Sequence, residues 1–153
     1  MHLLLFFTLL GLHAVVGSLN YTSFVHSDNY HVSTSTDTFA NALFNCKRMG
    51  WTMAIEDSAE ATAAVNKILN DTSHNGDNVW IGGVYQEISG YFSQWIWIDS
   101  GAIIEYTNWQ SGEPSASSSN PCVRKNAQSS SYPGQWYAYS CTNTLYFVCK
   151  GSL

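Results

Sequence analysis

The first 17 residues, MHLLLFFTLLGLHAVVG, are almost continuously apolar, and no later stretch of the chain matches them. A run this short at the extreme N-terminus, closing on the small residues Val15 and Gly17, predicts a secretory signal peptide over 1–17. The α-amino group and His2 supply its positive end. Residues 18–153 then read as one soluble, secreted domain. In residues 24–35, FVHSDNYHVSTS, β-favouring positions flank a Ser-Asp-Asn turn, which predicts an N-terminal strand or hairpin. The period then lengthens. Phe39, Leu43 and Cys46 share one helical face, Thr36, Asp37 and Thr38 offer N-caps, and Gly50 stops the helix. A second helix is expected from Asp57, with Glu60 three residues on as a capping box. Ala61, Val65 and Ile68 form its apolar stripe, and Asn70-Asp71 ends it.

From Val79 the pattern changes again. VWIGGVY (79–85), WIWIDSG (95–101) and LYFVC (145–149) read as short strands, whereas QSGEPSASSSNP (110–121) is polar and predicts no regular element. Two helices followed by strands around a long irregular loop define an α+β fold. A long structureless loop in a compact domain points to function.

Composition narrows the possibilities. The formal charge is −5, which argues against a nucleic-acid partner and against attraction to an anionic membrane. Six Trp and nine Tyr imply either a Trp-rich core or an aromatic binding surface. Four cysteines in an oxidising compartment imply two disulfides, with three connectivities open. With no Cys-x-x-Cys and no finger-like His spacing, no zinc site is expected. Asn20-Tyr21-Thr22 and Asn70-Asp71-Thr72 fit the glycosylation sequon, so both asparagines should lie at the surface.

Nothing assembles a catalytic group, and no enzyme is expected. The serines at 117–119 lack a nucleophile elbow. Glu56, Asp57 and Glu60 read as helix-start charges favoured by the macrodipole. His26, His31 and His74, without ligand-like spacing, read as surface histidines.

Taken in order, the Cys46 helix, WIGG (80–83), WIWIDSG, YTNW (106–109), GEPS (112–115), Cys122, WYAYSC (136–141) and LYFVC resemble the C-type lectin-like domain. The likeness spans the chain after residue 17 and is to the short, secreted invertebrate form. It implies a double-loop α+β fold with bridges Cys46–Cys149 and Cys122–Cys141, the first stapling a helix to the last strand and the second clamping the loop region. In sugar-binding members a calcium ion in the long loop bridges protein and sugar hydroxyls, and such an ion takes six to eight oxygens. Carried over position by position, the resemblance keeps Glu113 and Pro114. Asn becomes Ser115, the loop Glu becomes Asn120, and the Asn-Asp pair after Trp136 becomes Tyr137 and Ala138. Tyr85 and Ser89 stand where an auxiliary calcium position would have acidic residues. The implied calcium site, resting on Glu113 and Asn120, is weak or absent.

Glu113 is therefore read either as a residual metal ligand or as a solvent-exposed carboxylate beside a turn proline. Trp80, Trp97, Trp109 and Trp136 sit at motif positions, and most of them read as core rather than ligand platform. Ligand contact is expected at Glu113, Ser115, Asn120, Trp136 and Tyr137, with Tyr139 as a further aromatic. Two functions follow. One is a secreted carbohydrate-recognition module in defence or cell-surface recognition, leaning to mannose-type sugars if calcium is used. The other is a calcium-independent protein-interaction domain on the same scaffold.

Overall fold

The computed structural model describes residues 22–88, 92–115, 121–126 and 134–152. The segment 1–17 expected to be a signal peptide, Asn20, Ser89, the serines at 117–119 and Asn120 lie outside them. Ten elements follow one another: β1 (Phe24–Ser27), β2 (Tyr30–Ser33), α1 (Phe39–Arg48), β3 (Thr52–Met53), α2 (Ala59–Asp71), β4 (Val79–Ile88), β5 (Phe92–Trp97), β6 (Cys122–Lys125), β7 (Trp136–Tyr139) and β8 (Tyr146–Lys150). The strands join in the order β1-β2-β8-β4-β6-β7, with β3 added to β8 and β5 to β4. The β4–β8 pairing is parallel, and every other pairing of named strands is antiparallel.

The predicted hairpin forms, with His26 opposite His31 across β1 and β2. Helix α1 starts where its capping residues place it. Thr38 is the N-cap, and Asp37 Oδ1 accepts from the Thr38 N–H (2.9 Å) and from Asn41 Nδ2 (2.7 Å). Lys47 and Arg48 occupy the last turn, where the helix dipole favours cations, and Gly50 follows in the left-handed region at φ 78°. Helix α2 begins one residue later than its charges suggest. Ser58 caps it, accepting from Ala61 N at 3.1 Å, so Ala61 rather than Glu60 holds the third helical position. Glu60 supplies a first-turn charge and no capping box. The buried stripe of α2 is Val65, Ile68 and Leu69, with Ala61 half-buried at its edge. No helix among the described residues is long and apolar enough to cross a membrane.

Both disulfides close, Cys46–Cys149 tying α1 to β8 and Cys122–Cys141 tying β6 to the chain beyond β7. Strand β4 runs through the centre and is bulged against β6. Trp80 faces Arg124 and Val84 faces Cys122, so four steps on one strand match two on the other. The Gly82-Gly83 pair sits inside that shift. A Cβ on Gly83 would lie 2.4 Å from Val123 Cγ2, so the close crossing of β4 and β6 requires glycine there. Trp80 and Trp97 are core as expected, and Trp80 Nε1 donates to the Asp37 carbonyl at 3.0 Å, satisfying its buried polar edge. Trp109 is half-buried against Trp95 and Trp136.

Two expectations from the sequence are corrected here. His31 is not on the surface but wholly buried, stacked on Trp51 with ring centroids 3.7 Å apart. His74 is largely covered and bonded through Nδ1 to Asp77 Oδ2 at 2.8 Å. Glu56 is not a solvated helix-start charge. It is fully buried, as is its partner Lys125.

Candidate functional site

The stretch from Asn108 to Ser115 runs along the outer side of β7 before folding back. Trp136 N donates to the Asn108 carbonyl at 2.8 Å, and Gln110 N donates to the Trp136 carbonyl at 3.0 Å. Gly112, at φ 88°, makes the turn that brings Glu113 around, and the Glu113–Pro114 peptide is cis. Glu113 is half-buried. Its Oε2 accepts from Ser115 N (2.7 Å), Ser115 Oγ (3.0 Å) and Ala138 N (3.1 Å). The carboxylate thus clamps the loop to β7. Neither reading of Glu113 from the sequence anticipated this, because the residue is neither free in solvent nor turned outward.

That geometry bears on calcium. A calcium ion would draw on Glu113 and Ser115, but Ser115 already donates to both carboxylate oxygens, at 3.0 and 3.2 Å. Ala138 offers no side-chain oxygen, and its N–H occupies Oε2. Asn120 lies outside the described residues. Tyr137, at a position where the family supplies an oxygen ligand, holds its ring against the Arg124 guanidinium, 4.7 Å from centroid to Cζ. A hard dication needs several oxygens and net negative charge, and this set fits it poorly. Among the described residues no three His, Cys, Asp or Glu side chains converge on a common point.

What the site does assemble is aromatic and cationic. Strands β6 and β7 pair Arg124 with Tyr137 and Cys122 with Tyr139, which places Arg124, Tyr137 and Tyr139 on one face. The guanidinium lies over both rings, 4.5 Å from the Tyr139 centroid, and all three side chains remain half-buried. Tyr85, by contrast, is tilted against Trp95 at 5.4 Å.

The opposite face of β7 is sealed. Trp136, expected to touch ligand, is 0 % exposed and packs among Ile81, Trp97, Ile104 and Val123. Its Nε1 donates to Glu56 Oε2 at 2.7 Å, and Thr62 Oγ1 donates to the same oxygen at 3.1 Å. Lys125 Nζ lies 2.8 Å from Glu56 Oε1 and donates to the Gly134 carbonyl at 2.8 Å. Burial pushes the Glu56 carboxyl up from its ordinary value and pushes the Lys125 ammonium down, each offset in part by the other's charge. Trp136 is therefore a positioning residue that fixes β7 from behind. The alternation of Val123 and Lys125 on β6 hinted that Lys125 points inward. Glu56, in an irregular segment, gave no such sign.

Comparison with known proteins follows the same lines. A family profile described as the lectin C-type domain matches residues 35–151. The chain is similar to salivary C-type lectin 2 of Aedes albopictus, 29% identical over 98% of this chain and 97% of that one. Its fold matches the mouse scavenger receptor C-type lectin carbohydrate-recognition domain with a TM-score of 0.64 at 21% identity, covering 84% of this chain and 95% of that one. It matches a calcium-independent type II antifreeze protein equally well, with a TM-score of 0.65 at 22% identity over 85% of this chain and 92% of the other. Matched relatives of this kind are lectins and other binding proteins rather than enzymes. With the profile matched over 35–151 and the family's two bridges and Glu-Pro turn in place, this chain belongs to the C-type lectin domain family.

Proposed function

We propose that the protein is a secreted recognition module that binds carbohydrate on a pathogen or cell surface without calcium in its long loop. The observation that carries this reading is the Glu113 carboxylate, which is committed to Ser115 and to the Ala138 N–H. The binding face is then Tyr137 and Tyr139 around Arg124. Tyrosine rings stack on the apolar faces of sugars, and a guanidinium donates to hydroxyls or acidic groups. Secretion rests on the signal-like segment at 1–17 and on the salivary relative. The antifreeze neighbour supports calcium independence as a state this fold accommodates.

A second reading is favoured by the same face. Tyr and Arg are over-represented at protein–protein hot spots, so the surface suits a protein partner as well. A glycan array read with and without chelator separates the two. Chelator-resistant binding lost in Tyr137→Ala and Arg124→Ala supports the proposal. Chelator-sensitive binding lost in Glu113→Ala overturns the calcium-independent reading, with mannose-type sugars the ones to examine. Silence on every glycan moves the function to a protein ligand.

A further inference from the structure

At the far edge of the sheet from Glu113, the β1–β2 hairpin holds two imidazoles face to face. His26 and His31 are directly opposed in register, and their Nδ1 atoms are 2.7 Å apart. His31 Nε2 lies 2.7 Å from the Gly151 carbonyl. A carbonyl only accepts, so Nε2 carries the proton, and the neutral ring accepts at Nδ1 from the His26 Nδ1–H. An imidazole whose second N–H is anchored to a backbone carbonyl is the arrangement by which proteins orient a metal-ligating histidine. The Trp51 ring, stacked on His31, holds the plane, and Trp51 Nε1 is itself fixed to the Ser152 carbonyl at 3.0 Å. His26 is exposed, so an ion has a path from solvent to the pair.

We infer that His26 and His31 form a two-imidazole site for a divalent transition metal ion, with Cu2+ preferred over Zn2+. An ion bound here displaces the proton shared by the two Nδ1 atoms, which stand 2.7 Å apart. Cu2+ heads the affinity order for nitrogen ligands, and that order sets the preference. Water or a group from a bound partner completes the coordination.

The test is a CuCl2 titration of the full secreted chain at pH 7.4 in a non-chelating buffer, followed by tryptophan fluorescence and by electron paramagnetic resonance. Saturation at about one equivalent with a two-nitrogen hyperfine pattern is expected, and ZnCl2 should bind more weakly. His26→Asn, at an exposed position, should fold normally and weaken Cu2+ binding by about tenfold or more. His74→Asn should change nothing. Equal Cu2+ affinity in wild type and His26→Asn, or no saturable uptake by the wild type, overturns the assignment.

Discussion

Glu56 and Lys125 form an ion pair, Oε1 to Nζ at 2.8 Å, with neither side chain exposed to solvent. The pair joins the segment before α2 to β6, directly behind the strand that carries Tyr137 and Tyr139. Its removal should separate partner loss from burial. Glu56→Gln or Lys125→Met alone strands the other group and should cost about 3–5 kcal/mol. The double variant Glu56→Gln with Lys125→Met should recover most of that loss, because taking both charges out of water is itself costly and Gln still accepts from Trp136 Nε1 and Thr62 Oγ1. Urea denaturation of the four proteins completes the cycle.

The same pair sets a pH dependence. The folded Glu56 carboxyl titrates above its ordinary value of 4.5. A raised carboxyl contributes stability that is complete below that ordinary value and is lost as pH rises through the folded one. Lys125, depressed from 10.5, contributes stability that is complete above that value and is lost as pH falls through its folded one. Relative to the uncharged double variant, the wild type should therefore lose stability as pH rises from about 4.5 toward neutrality. Paired denaturation series across that range measure the slope, and a slope of the opposite sign would show a carboxylate favoured by folding.

Glu113→Ala should leave two backbone N–H groups, on Ser115 and Ala138, without their acceptor. A loss of about 1–2 kcal/mol is expected at this half-buried position, with faster amide exchange at Ala138. Calcium should not change the exchange rate in either protein.

Gly83→Ala should be among the more damaging one-atom changes. The added methyl carbon meets Val123 Cγ2 at 2.4 Å across two paired strands, and overpacking of this kind costs about 1–3 kcal/mol. Gly76→Ala, with open space around its Cβ position, serves as the neutral control in thermal denaturation.

The two bridges should differ in worth. Cys46–Cys149 spans 103 positions and Cys122–Cys141 spans 19. Chain entropy assigns them about 4.7 and about 3.2 kcal/mol, so the Cys46/Cys149→Ser pair should be the more destabilised by about 1.5 kcal/mol. Comparing the two double-serine proteins under identical conditions checks the difference.

Legibility in the sequence followed the range of the forces involved. The hairpin, the first helix and the strands β4, β5 and β8 were visible because periodicity and caps act within a few residues, as with Phe39 and Cys46 on one face, Thr38 before them and Gly50 after, whereas β3, β6 and β7 were not read as strands. Ser58 displaced Asp57 as the second cap, a choice between adjacent cap-forming residues that local preference alone does not resolve. Glu56 and His31 were misread for a different reason. Their partners, Lys125 and Gly151, lie 69 and 120 positions away, and single-chain patterns carry no sign of such contacts. The resemblance located Glu113 and Tyr137 but not what they do. The inward turn of the carboxylate depends on Ala138 N–H, and the posture of Tyr137 depends on Arg124.

One consequence of the Asn108–Ser115 cover reaches past ligand binding. Strand β7 closes one margin of the sheet, and an open margin offers free N–H and C=O groups to any other extended chain. Here Asn108 and Gln110 take up the Trp136 groups and Glu113 takes up Ala138 N–H, so that margin is spoken for within the molecule. The Asn108–Ser115 turn thereby guards that margin against strand-by-strand fibre growth, a structural role for Glu113 that needs no ion.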